Sequence, residues 1–178
     1  MNQKSPESSD LWIIKGLGAN GPDPNLKEKL MLFWQFIGDW EIEDHYTKAD
    51  RTVVNMKAEA HFRWILDGKA IQDVWMGCPE GSQKNIIFGT TIRFYDPKFN
   101  AWYSTWISPI KNIGQTFIAR KVNEDLILEG KTAERYPLKW VFSQITPKSF
   151  RWHSEETQDK GKTWKITEEM QIRKAGID

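Results

Sequence analysis

Phe36-Ile37-Gly38-Asp39-Trp40-Glu41-Ile42 is where the pattern of this chain changes. Upstream, Leu26, Leu30, Phe33, Trp34 and Ile37 recur at three- and four-residue spacing, which predicts a short helix over residues 25–37. Asn25 is placed to cap its start. Gly38 accepts backbone angles that a Cβ disfavours, so the helix can stop and the chain can turn there. From Trp40 the period becomes two. Trp40, Ile42, Asp44 and Tyr46 share one face, and Glu41, Glu43, His45 and Thr47 share the other.

Alternation continues downstream in runs separated by turn residues. Val54 to Leu66 alternates apolar with polar and charged side chains, and Asp67-Gly68 signals a hairpin into Ala70 to Met76. Further strand-like runs cover 86–95, 101–108, 116–122, 126–132, 138–145, 149–156 and 164–173. Asp96-Pro97, Asn123-Glu124-Asp125, Thr146-Pro147-Lys148 and Asp159-Lys160-Gly161-Lys162 break them. About ten strands on tight turns, with one clear helix, predict an all-β fold: a single antiparallel up-and-down barrel of roughly eight to ten strands. A meander that long hides its edges by closing. A two-sheet sandwich is the competing architecture.

The barrel domain is expected over 25–178. Residues 1–24, rich in Ser, Pro, Gly, Asn and Asp, read as a mobile N-terminal arm. Within it, Leu11-Trp12-Ile13-Ile14 is an apolar cluster expected to dock on the barrel or to join two copies as a homodimer.

Charge nearly cancels, with 25 Lys+Arg against 24 Asp+Glu, so the basic excess of a nucleic-acid binder is missing. No apolar stretch approaches the length of about 18 residues that a membrane helix needs. The polar N-terminus does not read as a signal peptide, and Cys78, the single cysteine, has no intrachain partner. These features point to the cytoplasm. The chain carries 10 Trp, 9 Phe and 4 Tyr. Such rings either fill a barrel or line a cavity that holds a flat apolar ligand.

The helix closing on Gly38-Asp39-Trp40 and opening a strand meander resembles the lipocalin and calycin barrels. The resemblance extends to Ile65-Leu66-Asp67-Gly68-Lys69-Ala70-Ile71-Gln72-Asp73, to Gly89-Thr90-Thr91-Ile92-Arg93-Phe94-Tyr95-Asp96, and to Trp140, Trp152 and Asp159-Lys160-Gly161-Lys162-Thr163-Trp164. On these residues, roughly 30–173, the chain looks like a bacterial lipocalin-like family of the calycin superfamily, one of unassigned function. The resemblance implies a helix across one barrel end and a buried Trp40 covered by a basic side chain of the last strand. Arg173 is the candidate, although it falls on the face opposite Ile166, Met170 and Ile172 and would need a bulge.

Few residues suggest metal or covalent chemistry. His45, His61 and His153 lie far apart, Cys78 has no patterned base, and neither a phosphate loop nor a Gly-X-Ser-X-Gly elbow is present. No metal or cofactor is therefore expected. More informative are charges on faces that otherwise carry rings: Asp44, Asp73, Arg93 and Glu168. If buried they need partners, and Asp73 or Glu129 would serve Arg93.

Two functional readings follow. In the first, the barrel binds a small apolar or aromatic molecule. Arg93 orients a polar group, and Trp64, Trp75, Tyr95, Trp102, Trp106, Trp140 and Trp152 supply walls. In the second, a cofactor-free enzyme of isomerase or cyclase type uses Asp73 or Glu168 as acid or base. A core filled by the rings would remove both.

Overall fold

In a computed structural model, which describes residues 7–47, 52–79, 82 and 84–176, the chain from Gly38 onward forms a closed barrel. Its strands are β1 (Gly38–Thr47), β2 (Val53–Ile65), β3 (Ala70–Gly77), β4 (Ile86–Asp96), β5 (Ala101–Ser108), β6 (Ile113–Val122), β7 (Asp125–Lys131), β8 (Pro137–Ser143), β9 (Ser149–Glu156) and β10 (Lys165–Lys174). Each pairs antiparallel with the next, and β1 pairs with β10. Closure leaves no edge, which rules out the sandwich. The seam aligns Trp40 with Lys174, Ile42 with Ile172 and Asp44 with Met170. β6 begins three residues earlier than its pattern suggests, because Ile113 and Gly114 pair with Ser108 and Ile107.

The pivotal stretch works as the sequence implies. Helix α2 (Lys27–Trp34) lies before β1, and Gly38 turns the chain at φ +135°. The cap differs. Leu26 holds the cap position without a side-chain bond, while the Asp23 carboxylate accepts the Asn25 backbone N–H at 2.9 Å. That local turn uses Asn25 before the helix begins.

The expected arm is partly helical. A further helix, α1 (Glu7–Gly16), precedes α2. Residues 7–15 contain no Gly or Pro, and the breakers start again at Gly16. Trp12, Ile13 and Ile14 project into solvent from α1, so the barrel does not take them. The linker after α1 is tied to the β2–β3 turn. Leu66 N–H donates to the Gly16 carbonyl, Ala19 N–H to that of Trp64 and Asp23 N–H to that of Gly68, each at 3.0 Å.

The barrel has two unlike ends. Under α2, Leu30, Phe33 and Phe36 are fully buried. Phe36 packs on Phe150, Phe142 and Phe62 with centroids 4.8, 5.1 and 6.0 Å away, and Phe33 meets Trp102 at 4.9 Å. Trp40 is buried here, and its Nε1–H donates to the Phe36 carbonyl at 2.6 Å. The basic side chain over its ring is Lys174, with Nζ 5.7 Å from the centroid, and not Arg173. Lys174 sits directly across from Trp40, whereas Arg173 pairs with Glu41 on the outer face, so parity decides without a bulge at this point. The opposite end, reached by the β3–β4 and β5–β6 connections, is the mouth.

Candidate functional site

Strand alternation sends every second side chain inward. From β3 these are Ile71, Asp73 and Trp75, from β4 Thr91 and Arg93, from β5 Trp102, Ser104 and Trp106, and all are buried. On β10 the register shifts between Ile166 and Glu168. Glu168, Met170 and Ile172 consequently follow the inner face, while Ile166 is exposed, against the expected inward set.

Between the α2 plug and the mouth lies a cavity of about 110 Å3. Its walls are the indoles of Trp75, Trp106, Trp140 and Trp152, with Phe62, Phe142, Phe150, Ile42 and Met170. The indoles form a chain, with centroids 6.1 Å apart from Trp75 to Trp106, 6.2 Å from Trp106 to Trp140 and 5.4 Å from Trp140 to Trp152. Gly89 does not widen this space, as a small residue on that face would suggest. The Trp106 ring lies across it, and a Cβ there would come within 2.5 Å of the indole. The glycine is needed so that Trp106 can lie flat against β4.

Arg93 and Asp73 are diagonal neighbours on adjacent strands and form an ion pair, both nearly devoid of exposure. The second Asp73 oxygen accepts the Thr91 backbone N–H at 3.2 Å. The guanidinium also lies 5.2 and 5.4 Å from the Phe33 and Phe62 ring centroids. Arg93 thus stands between plug and cavity, and its Nε has no partner among the described residues. Glu129 is exposed on β7 opposite Lys139 and does not serve Arg93, because its parity points outward.

Nearer the mouth, Glu168 lines the cavity and Asp44 lies beside it on β1. Asp44 is 1% exposed, and neither of its oxygens has a hydrogen-bond partner among the described residues. Burial, then the Glu168 carboxylate, push its pKa up to about 8, tempered by Lys111 and by the nearby His45 backbone N–H. Burial also raises Glu168, and Lys111 again opposes the shift. Lys111, in the β5–β6 turn, reaches over the mouth and places Nζ 5.5 Å from the Trp75 ring centroid.

Of the residues named from the sequence, Arg93, Trp75, Trp106, Trp140, Trp152, Asp73 and Glu168 come together around one space. Trp64, Tyr95 and Trp102 do not. Trp64 is buried at the α2 end. Trp102 donates its Nε1–H to the Lys29 carbonyl at 3.2 Å, and Tyr95 donates its hydroxyl to Asn100 Oδ1 at 2.7 Å, both beside a groove along α2. Their strands carry them past the cavity. Lys111 went unmarked because it sits where the alternation breaks, and only the β5–β6 closure brings it to the mouth. Among the described residues, no three His, Cys, Asp or Glu side chains gather as metal ligands, and no helix is long and apolar enough to cross a membrane. The Asp159 motif is a turn. Its carboxylate accepts from Thr157, Lys162 and Thr163, and these bonds hold its pKa down at about 2.

A closed ten-strand antiparallel barrel with a helix across one end is the lipocalin/calycin-like fold. Solved structures similar to it include an S-type phycobiliprotein lyase from Guillardia theta, at TM-score 0.58 and 10% identity over 88% of this chain and 100% of that one. Rv2717c from M. tuberculosis is similar at TM-score 0.59 and 8% identity, over 86% of this chain and 98% of its own. At such identities the likeness shows the fold alone. No family model and no curated protein matches the sequence.

Proposed function

We propose that the protein binds a small apolar or aromatic molecule inside the barrel, at the mouth side of the α2 plug. The observation that carries this is the chain of four indoles around a space that Arg93, Glu168 and Lys111 reach with polar groups. A core meant only to be filled would place these rings against one another without leaving that space. The cavity is smaller than the usual ligand pocket of about 300–1,000 Å3. It therefore encloses a group the size of one small ring or branched head, and anything longer extends through the mouth. A phycobiliprotein lyase among the structural neighbours adds general support, since a barrel of this topology carries an activity there.

One observation favours cofactor-free acid/base catalysis as a second reading. Glu168 lines the cavity with its pKa raised by burial, so this carboxyl holds its proton more firmly than an exposed one and faces the space a substrate would occupy. Asp73, the other carboxyl named from the sequence, is already engaged by Arg93 and by the Thr91 backbone N–H.

The test is binding of an environment-sensitive apolar dye to Trp106→Ala and Trp102→Ala, both checked as folded by circular dichroism. Trp106→Ala is expected to weaken binding and Trp102→Ala to leave it unchanged. The reverse pattern, or no binding by the parent protein, would sink the cavity reading.

A further inference from the structure

We infer that the ligand taken at the mouth is a small organic cation, whose ammonium group replaces the Lys111 amine between the Asp44 and Glu168 carboxyls and the face of Trp75. This rests on the cavity being the binding site and names the class of molecule that fits it.

Three observations converge. Asp44 is buried to 1% exposure with both oxygens unpartnered among the described residues, an expensive arrangement unless a proton or a cationic donor completes it. Glu168 precedes Met170 on the inner face of β10, while Met170 itself sits opposite Asp44, so the two carboxyls are diagonal neighbours. Finally, a cation already stands in this place. Lys111 Nζ lies over the Trp75 ring, yet makes no ion pair with any described carboxylate. It comes from an exposed turn on a flexible stem, so it can leave at little cost and adds its own volume to the cavity. Aromatic faces with adjacent carboxylates are a recurrent way to hold an ammonium head.

Charge favours a cation over an anion. An anionic ligand would meet the Asp73 and Glu168 carboxyls of the lining, against an Arg93 already committed to Asp73 and only Lys111 besides. The Trp75 Nε1–H, buried and without a partner among the described residues, adds a donor for an oxygen carried by the ligand.

Binding of a cation draws the proton from the carboxyl pair, so affinity depends on pH. The groups that face Asp44 are Glu168 from β10 and Lys111 from the β5–β6 turn, with Asp73 and Arg93 across the cavity. β2 presents only Val54, Met56 and Ala58. Because the buried Asp44 carboxyl holds its proton up to about pH 8, affinity for a permanent cation rises as pH climbs from 6 to 9.

The experiment titrates choline, a permanent cation, and 3,3-dimethylbutan-1-ol, its neutral isostere, into the full chain, reading tryptophan fluorescence and indole N–H shifts. Choline is expected to bind about tenfold more tightly than the alcohol at pH 8, and more tightly at pH 9 than at pH 6. Lys111→Met, on an exposed turn, is expected to strengthen choline binding several-fold by removing the resident amine. Glu168→Gln is expected to abolish the preference for choline while leaving the alcohol's affinity intact. If the alcohol binds as well as or better than choline, the cation proposal is overturned and the cavity reading survives. If neither binds, even to Lys111→Met, the cation proposal is likewise overturned, and the dye titration alone decides the cavity reading.

Discussion

The two ends of this barrel use the same residue types for different ends. Under α2, Phe33, Phe36, Phe142 and Phe150 close on one another and on Trp40, with polar atoms satisfied by backbone partners. Toward the mouth, Trp75, Trp106, Trp140 and Trp152 stand apart around a space, and buried polar atoms of Trp75 and Asp44 have no partner among the described residues. The Arg93–Asp73 pair marks the boundary. Aromatic richness therefore does not say whether a ring is packing or wall. What separates the two is whether an element such as α2 enters to fill the gap.

The sharpest way to break this contrast is truncation at each end. Phe36→Ala removes a fully buried ring with no space to collapse into, and a loss of about 3–5 kcal/mol is expected from chemical denaturation. Trp152→Ala, whose ring already borders a cavity, is expected to cost less. Equal losses would mean that the mouth is core like the rest. Next comes the boundary. Arg93→Leu strands a buried Asp73 carboxylate and is expected to cost about 3–5 kcal/mol, most of it recovered in the Arg93→Leu/Asp73→Leu double variant.

Asp44 gives the mouth a pH signature opposite in sign to that of Asp39 at the α2 end, whose pKa the His61 and Arg63 side chains lower. The folded protein holds the Asp44 proton up to about pH 8, whereas the unfolded chain releases it near 3.8. Stability from this group is thus fully present below pH 3.8, declines between roughly pH 4 and 8, and is level above. Asp44→Asn is expected to flatten that decline and to gain about 1–3 kcal/mol at pH 8 relative to the parent. Melting curves across pH 5–9 measure it, and an unchanged slope would place the titration elsewhere. The smallest effect is expected from Lys174→Met. Loss of the cation over Trp40 should cost about 0.5–2 kcal/mol, with Arg173→Met near neutral.

Much of the architecture was legible because the barrel obeys period two. Trp40, Ile42 and Asp44 share an inner face, as do Ile71, Asp73 and Trp75, and both sets are buried as alternation requires. Where local rules compete, the reading failed for identifiable reasons. The shift between Ile166 and Glu168 turned Ile166 outward, and the Asp23 turn displaced the cap that Asn25 would have formed. Helix α1 lies in a segment whose composition suggested none. The cavity was less legible still. Trp64, Trp102 and Tyr95 have the same pattern as Trp75 and Trp106, and depth along the barrel, which parity does not encode, separates them. Lys111 lies in a turn, where no period exists to mark it.

The most direct measurement is a two-dimensional 15N spectrum of the tryptophan indole N–H groups during titration with a small aromatic or ammonium ligand. Substitutions assign the signals. A mouth-end site shifts the signals of Trp75, Trp106, Trp140 and Trp152, and leaves Trp40 and Trp102, held by the Phe36 and Lys29 carbonyls, in place. Shifts confined to Trp40 and Trp102, or spread evenly over all of them, would contradict a ligand site between the plug and the mouth.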